Sequence, residues 1–187
     1  STTPHRGGTL HTATATDLRS LDPATAFDSA AQPVIELLYA GLVDYDDEGN
    51  IIADLAERYE QSADGKRWTF VLRPGLRMHD GAELTADDVK RSVERTLHPD
   101  TPCPGTVFFE RIEGFDDYQN RRSEHLSGVV VEGPRTVSFQ LRAPDATFLS
   151  VLALPFLRPV CRSAGNRYQD SFQSKACGAG PFRLAHW

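Results

Sequence analysis

Six histidines, His5, His11, His79, His98, His125 and His186, are the first residues to weigh as metal ligands or proton carriers. None stands in an H-E-x-x-H helix or an H-x-H strand pair, the spacings that focus two imidazoles on one ion, so no metal site is assigned. Met78-His79-Asp80-Gly81 brings an imidazole and a carboxylate into one turn. That pair could pass a proton, but a turn histidine satisfied by its own surroundings is the preferred reading. The doublets Asp46-Asp47, Asp87-Asp88 and Asp116-Asp117 would have to face each other across a cleft to split their pKa values. Neighbours on a turn or at a helix start serve instead as caps and solvated charges. A nucleophile at Cys103 or Cys161 needs a histidine base and an electropositive pocket, neither supplied by sequence neighbours, and no G-x-S-x-G elbow occurs. Gly178-Ala179-Gly180 lacks the third glycine and the following helix of a phosphate cradle, and reads as a place of close backbone approach. No catalytic residue and no cofactor are assigned.

The third cysteine, Cys177, leaves two readings open. A Cys161 to Cys177 bridge would close a loop of roughly 15 residues and contribute about 3 kcal/mol; otherwise all three thiols stay unpaired and partly buried. There is no C-x-x-C pair.

The elements that must position these residues alternate along the chain. Thr9 to Thr16 reads as a strand, Leu21-Asp22-Pro23 as a turn. Asp28 or Ser29 is expected to cap a helix with Pro33 in its early turns, with Val34, Ile35, Leu37 and Leu38 facing a core and Gly41 as a left-handed stop. Leu42 to Tyr45 and Ile51-Ile52 flank Asp46 to Asn50 as a hairpin, and Ala53 to Tyr59 reads as two turns of helix. Trp68, Phe70 and Leu72 alternate with polar neighbours as a strand between the turns Ala63 to Lys66 and Pro74-Gly75. Thr85 and Asp88 imitate a capping box before Val89, Val93 and Leu97, a helix packed on one face that ends at Pro99. A helix inside a long excursion is expected over 100–128. Val129 to Val131 and Val137, Phe139 and Leu141 form a hairpin through Gly133-Pro134, Pro144-Asp145 caps a short helix through Leu152, and Phe182 to Leu184 is a last strand. The class is mixed α/β or α+β.

Composition narrows the functions. The 187 residues carry 40% hydrophobic and 25% charged side chains, the balance of a folded chain. A net charge of -6 offers no basic footprint, so nucleic acid is excluded as a partner. The longest apolar stretch, Val151 to Leu157, is broken by Pro155 and is far short of the ~20 residues of a membrane span. Ser1 to Arg6 has no apolar signal core, so the chain is expected to start at a mature end or downstream of a signal.

Three blocks resemble the extracellular solute-binding proteins of peptide and nickel ABC transporters, family 5. They are GLVDYDDEGNIIADLAERY (41–59) followed by DGKRWTFVLRPGLRMHDGAELTADDVKRSVERTL (64–97), then RTVSFQLRAPDATFLSVL (135–152), then GAGPFRLAHW (178–187). The second stretch of the first block carries the family's tryptophan strand, its HDG turn and its T-A-x-D-V helix start. Ala179 stands where threonine is usual, and the cysteines match no family pattern.

The resemblance implies a periplasmic-binding-protein-like lobe, type II, of the dipeptide- and oligopeptide-binding group. The chain then stops where the first lobe hands over to the second, so the C-terminal lobe is absent. Residues 1–43 and 155–187 fall to the main sheet domain and 44–154 to an accessory subdomain. The implied function is capture of a peptide for a membrane permease, with no catalytic step, by a monomer in the periplasm or tethered at the cell surface, as lipoprotein members are. Open α/β sheets bind ligand beyond their strand ends, which points to Asp17 to Phe27 and to the segment after Pro155, with Phe27, Phe108 and Arg158 as the near wall of the cleft. Nickel-type members carry an arginine just after a similar Ala-Leu-Pro, though Arg158 is out of register with it. The alternatives are a nickel or metal-chelate binder, a sensor on the same fold, and a cysteine-dependent hydrolase.

Overall fold

Alternation from Arg67 to Leu72 puts Trp68, Phe70 and Leu72 on one side of an extended chain, and that side must be covered. The protein is described by a computed structural model at residues 11, 13, 17–169, 172 and 175–187. Its larger sheet has four antiparallel strands, Ala56–Gln61 (β3), Arg67–Leu72 (β4), Val129–Gly133 (β5) and Thr136–Gln140 (β6), in the order β3-β4-β6-β5. Trp68 faces Phe139 and Phe70 faces Val137 across the central ladder. Phe70 meets Phe139 edge-on at 5.8 Å, and Phe139 in turn touches Phe148 at 5.6 Å. A second hairpin pairs Val43–Tyr45 (β1) with Ile51–Ala53 (β2). It reverses where the Asp46 carboxylate accepts from Glu48 N and Asn50 N and Gly49 takes φ +81°.

The helix Ala86–Thr96 (α2) covers the sheet with buried Val89 and Val93, and with Leu97 at its end. Thr85 starts it: its N–H and its hydroxyl both donate to Asp88 Oδ2, at 3.0 and 2.9 Å. The short helices Phe115–Gln119 (α3) and Phe148–Leu152 (α4) complete this core. A second apolar cluster gathers Leu21, Ile35, Leu38, Tyr39, Val160 and Phe172 around the helix Gln32–Leu38 (α1). Among the described residues no helix is long and apolar enough to cross a membrane.

Cys161 and Cys177 form a disulfide with their Cα atoms 5.4 Å apart, and Cys103 is a buried free thiol. Removing the bridge by Cys161→Ser with Cys177→Ser is expected to lower the unfolding free energy by about 3 kcal/mol, measurable by urea titration.

Several expectations are corrected. Ala53 to Tyr59 is not helical: residues from Ala56 form β3, because β4 presents a full edge of backbone donors and acceptors that a six-residue partner satisfies. Gly41 is not a left-handed stop. The helix ends at an extended Tyr39, φ −131°, and Gly41 serves a tight approach instead, since a Cβ there would lie 2.8 Å from Val43 O. Asp28 caps the turn leading into α1, accepting from Ala30 N and Ala31 N, and Leu37 points outward at 45% exposure. Phe182 to Leu184 makes no strand: Pro181 cannot donate, and the tail is held by Gly180 N to Leu38 O and Phe182 N to Leu37 O at the end of a helix. The strand expected at Thr9 to Thr16 lies outside the described residues, apart from His11 and Ala13, which have no regular structure. Finally, α2 is not packed on one face only, and its second buried face builds the site.

Candidate functional site

Asp88, Ser92, Arg95 and Thr96 recur at helical spacing on α2 and are all buried. Buried polar groups need partners, and here they hold two distant segments. Thr96 Oγ1 donates to Phe156 O at 3.0 Å, Ser92 Oγ accepts from Val160 N at 3.0 Å, and Arg91 donates to the carbonyls of Val160 and Gly165. Arg95 grips Asp22 with both terminal nitrogens, at 3.0 and 2.5 Å, with side-chain exposures of 1% and 0%. Its guanidinium also lies 4.8 Å over the Phe172 ring. The Asp22 loop is fixed further by Ala24 N on the same carboxylate and by Tyr39 Oη donating to Leu21 O at 2.7 Å. Burial beside Asp22 pushes the Tyr39 phenol far above its ordinary pKa, so it remains a donor.

Holding these segments together assembles a cluster of rings from three parts of the chain. Phe156 is fully buried, in a short 3-10 turn at Pro155–Leu157. Phe27 stacks on it at 5.3 Å and 28°, and Phe108 lies 6.5 Å away at 33°. Both outer rings are open to solvent, Phe27 at 56% and Phe108 at 47%, with exposed Val107 beside Phe108. Gly105 lets the backbone meet Phe156: a Cβ there would lie 2.4 Å from the ring. An exposed shelf with a buried central ring can receive apolar ligand surface.

Arg158 belongs elsewhere. It is 4% exposed, its Nη1 donates to Tyr39 O at 3.0 Å, and its Nη2 is 3.6 Å from Asp44 Oδ2. It lines a separate recess of about 280 Å³ with Gln32, Glu36, Asp44, Tyr45 and Pro155 among its walls. The sequence thus names two rings that the structure unites through Phe156, and one arginine whose polar partners are Tyr39 O and Asp44. Phe156 itself, Val107 and the Asp22–Arg95 pair were missed. Phe156 sits inside an apolar run with no periodicity, while Arg91, Ser92, Arg95 and Thr96 read as the polar, solvated face of an amphipathic helix.

His79 is consumed by structure. Gly178 N donates to its Nδ1 at 3.3 Å and its Nε2 lies 2.9 Å from Gly180 O, a pattern that a neutral ring protonated at Nε2 satisfies. Asp80, Cys161 and Cys177 bring three potential metal-ligand atoms within 4.8 Å of one another, but both sulfurs are in the disulfide, which leaves a single carboxylate. Burial raises the Cys103 thiol above its ordinary pKa. Native-state alkylation at pH 8 should therefore be far slower at Cys103 than at a free thiol, becoming fast only on unfolding. Rapid labelling of the folded protein would point to an activated cysteine.

The sequence model described as bacterial extracellular solute-binding proteins, family 5, middle part, matches residues 50–187. The glutathione-binding protein GsiB of Salmonella typhi is 29% identical over 175 residues, covering 94% of this chain and 31% of that protein. Among solved structures, the Escherichia coli murein tripeptide binding protein MppA superposes with a TM-score of 0.79 at 27% identity, covering 90% of this chain and 34% of that one. Haemophilus influenzae OppA in complex with RPPGFSPFR gives 0.80 at 26% identity, with coverage of 90% and 34%. The chain spans about a third of the length of these relatives.

Proposed function

Because the chain belongs to the bacterial extracellular solute-binding proteins of family 5, we propose that it forms one wall of the ligand cleft in the substrate-binding component of an ABC importer. That component captures a peptide outside the cytoplasmic membrane and delivers it to a permease, with no catalytic step of its own. The observation that carries this reading is the shelf of Phe27 and Phe108 on Phe156: three segments far apart in sequence converge to hold apolar rings open to solvent. Apolar surface fixed in this way is expected to be covered, and we read the cover as ligand. Relatives described as binding glutathione, murein tripeptide and the peptide RPPGFSPFR support peptide as the ligand.

The two apolar clusters bear on the division of labour within the chain, with Ala40, Leu42, Val43, Phe156, Leu157 and Cys161 joining the cluster of the larger sheet. The cluster around α1 draws on residues near both ends, which supports assigning 1–43 and 155–187 to the main domain and 44–154, with the four-stranded sheet, to an accessory subdomain. Native mass spectrometry of the full-length protein, purified without denaturation, tests the reading. Peptides leaving with the protein are expected. An empty protein, under conditions where OppA keeps its ligand, would overturn peptide capture, and a metal chelate would replace it with the nickel-type alternative.

A further inference from the structure

Resting on the reading of the shelf as a cleft wall, we propose that this wall selects an apolar, uncharged side chain of the ligand and works against an anionic one, glutathione included. The argument is one of charge. Among the described residues, two buried arginines stand within two chain positions of Phe156 or of Thr96 that holds it, and each is already matched: Arg95 with Asp22, and Arg158 with Asp44 and the Tyr39 carbonyl. Neither side chain is more than 3% exposed, so neither reaches a ligand resting on Phe27 and Phe108. The exposed charges that flank the rings in the chain are acidic. Asp28 follows Phe27 and Glu110 lies two residues beyond Phe108, while the cations beside Glu110 are both paired, Arg111 with Asp145 at 3.3 Å and Arg142, which also donates to Glu110 O, with Asp116.

A carboxylate arriving on this surface would give up water and find neither buried arginine free to receive it. An apolar side chain loses nothing there and covers ring and Val107 carbon that is otherwise wet. The seat is also rigid. Phe156 is held through its carbonyl by Thr96 and closely backed by Gly105, so the outer rings rest on a fixed base.

The test uses the full-length protein freed of ligand and calorimetric titration with alanine tripeptides carrying Phe, Leu, Lys or Glu at each position in turn, and with glutathione. At one position Phe and Leu are expected to bind at least about tenfold tighter than Glu, the scale on which apolar pockets discriminate. The best apolar peptide should also exceed glutathione. Phe27→Ser and Phe108→Ser, both at exposed rings, should each shrink that preference to about twofold without lowering the melting temperature appreciably. Equal or tighter binding of the Glu peptides or of glutathione would overturn the proposal, as would a preference that survives both substitutions. If neither the tripeptides nor nine-residue peptides carrying the same substitutions bind, the peptide-capture reading itself fails and the proposal falls with it; binding without apolar preference leaves that reading standing and removes only the proposal.

Discussion

Arg95→Ala is expected to destabilise the protein by about 3–5 kcal/mol, the cost of leaving one member of a buried ion pair without its partner. The strength of the effect follows from the surroundings. Asp22 is fully buried and accepts two bonds from Arg95 and one from Ala24 N. The same substitution empties the space over the Phe172 ring, where the guanidinium now lies. Urea unfolding of the full-length protein measures the loss. Asp22→Ala should cost a similar amount, and the double variant should cost less than the two single losses added, with a coupling of at least about 1 kcal/mol. Additive losses would mean that the two groups do not act as a pair.

Phe156→Ala should cost about 3–5 kcal/mol as well, but for a different reason, the cavity left by a fully buried ring. Two exposed rings rest on it, so this variant should also lose the apolar ligand preference, whereas Arg95→Ala should act on stability first. Phe156→Leu separates the terms: it returns most of the volume, and therefore most of the stability, without restoring the flat surface on which Phe27 stacks at 28°. Recovery of stability with little recovery of binding is the expected outcome, read from urea midpoints and calorimetry on the same samples.

How far these features could be read in advance depends on whether the signal is local. The strand at Trp68 to Leu72, the Thr85 helix start and the Asp46 turn are written in neighbouring residues, and each appears where the residues require it. Ala53 to Tyr59 misleads because its pattern, half-buried at best along most of β3, carries no period of its own; the hairpin partner decides it. The second buried face of α2 is hidden for a related reason. Its serine, threonine and arginine side chains are polar, and only the main-chain groups of residues 156–165 and the Asp22 carboxylate make them interior. Phe27 and Phe108 could be picked out as lone aromatics. Phe156, which unites them, could not, since nothing in an apolar run distinguishes a central ring from ordinary core.

The bonds that hold distant segments together also span long stretches of chain: 73 residues from Asp22 to Arg95, 101 from His79 to Gly180 and 119 from Tyr39 to Arg158. The hairpins of the larger sheet close over short turns at residues 62–66 and 133–136. Loop-closure entropy must be met before such distant contacts return any stabilisation, so contact order divides the molecule into an early part and a late one. The hairpins are able to form while the chain is still growing, whereas the ring-bearing surface comes together only after residues 22 to 156 are all available. Within this chain, the proposed ligand-facing surface is therefore completed later than the hairpins as the chain folds.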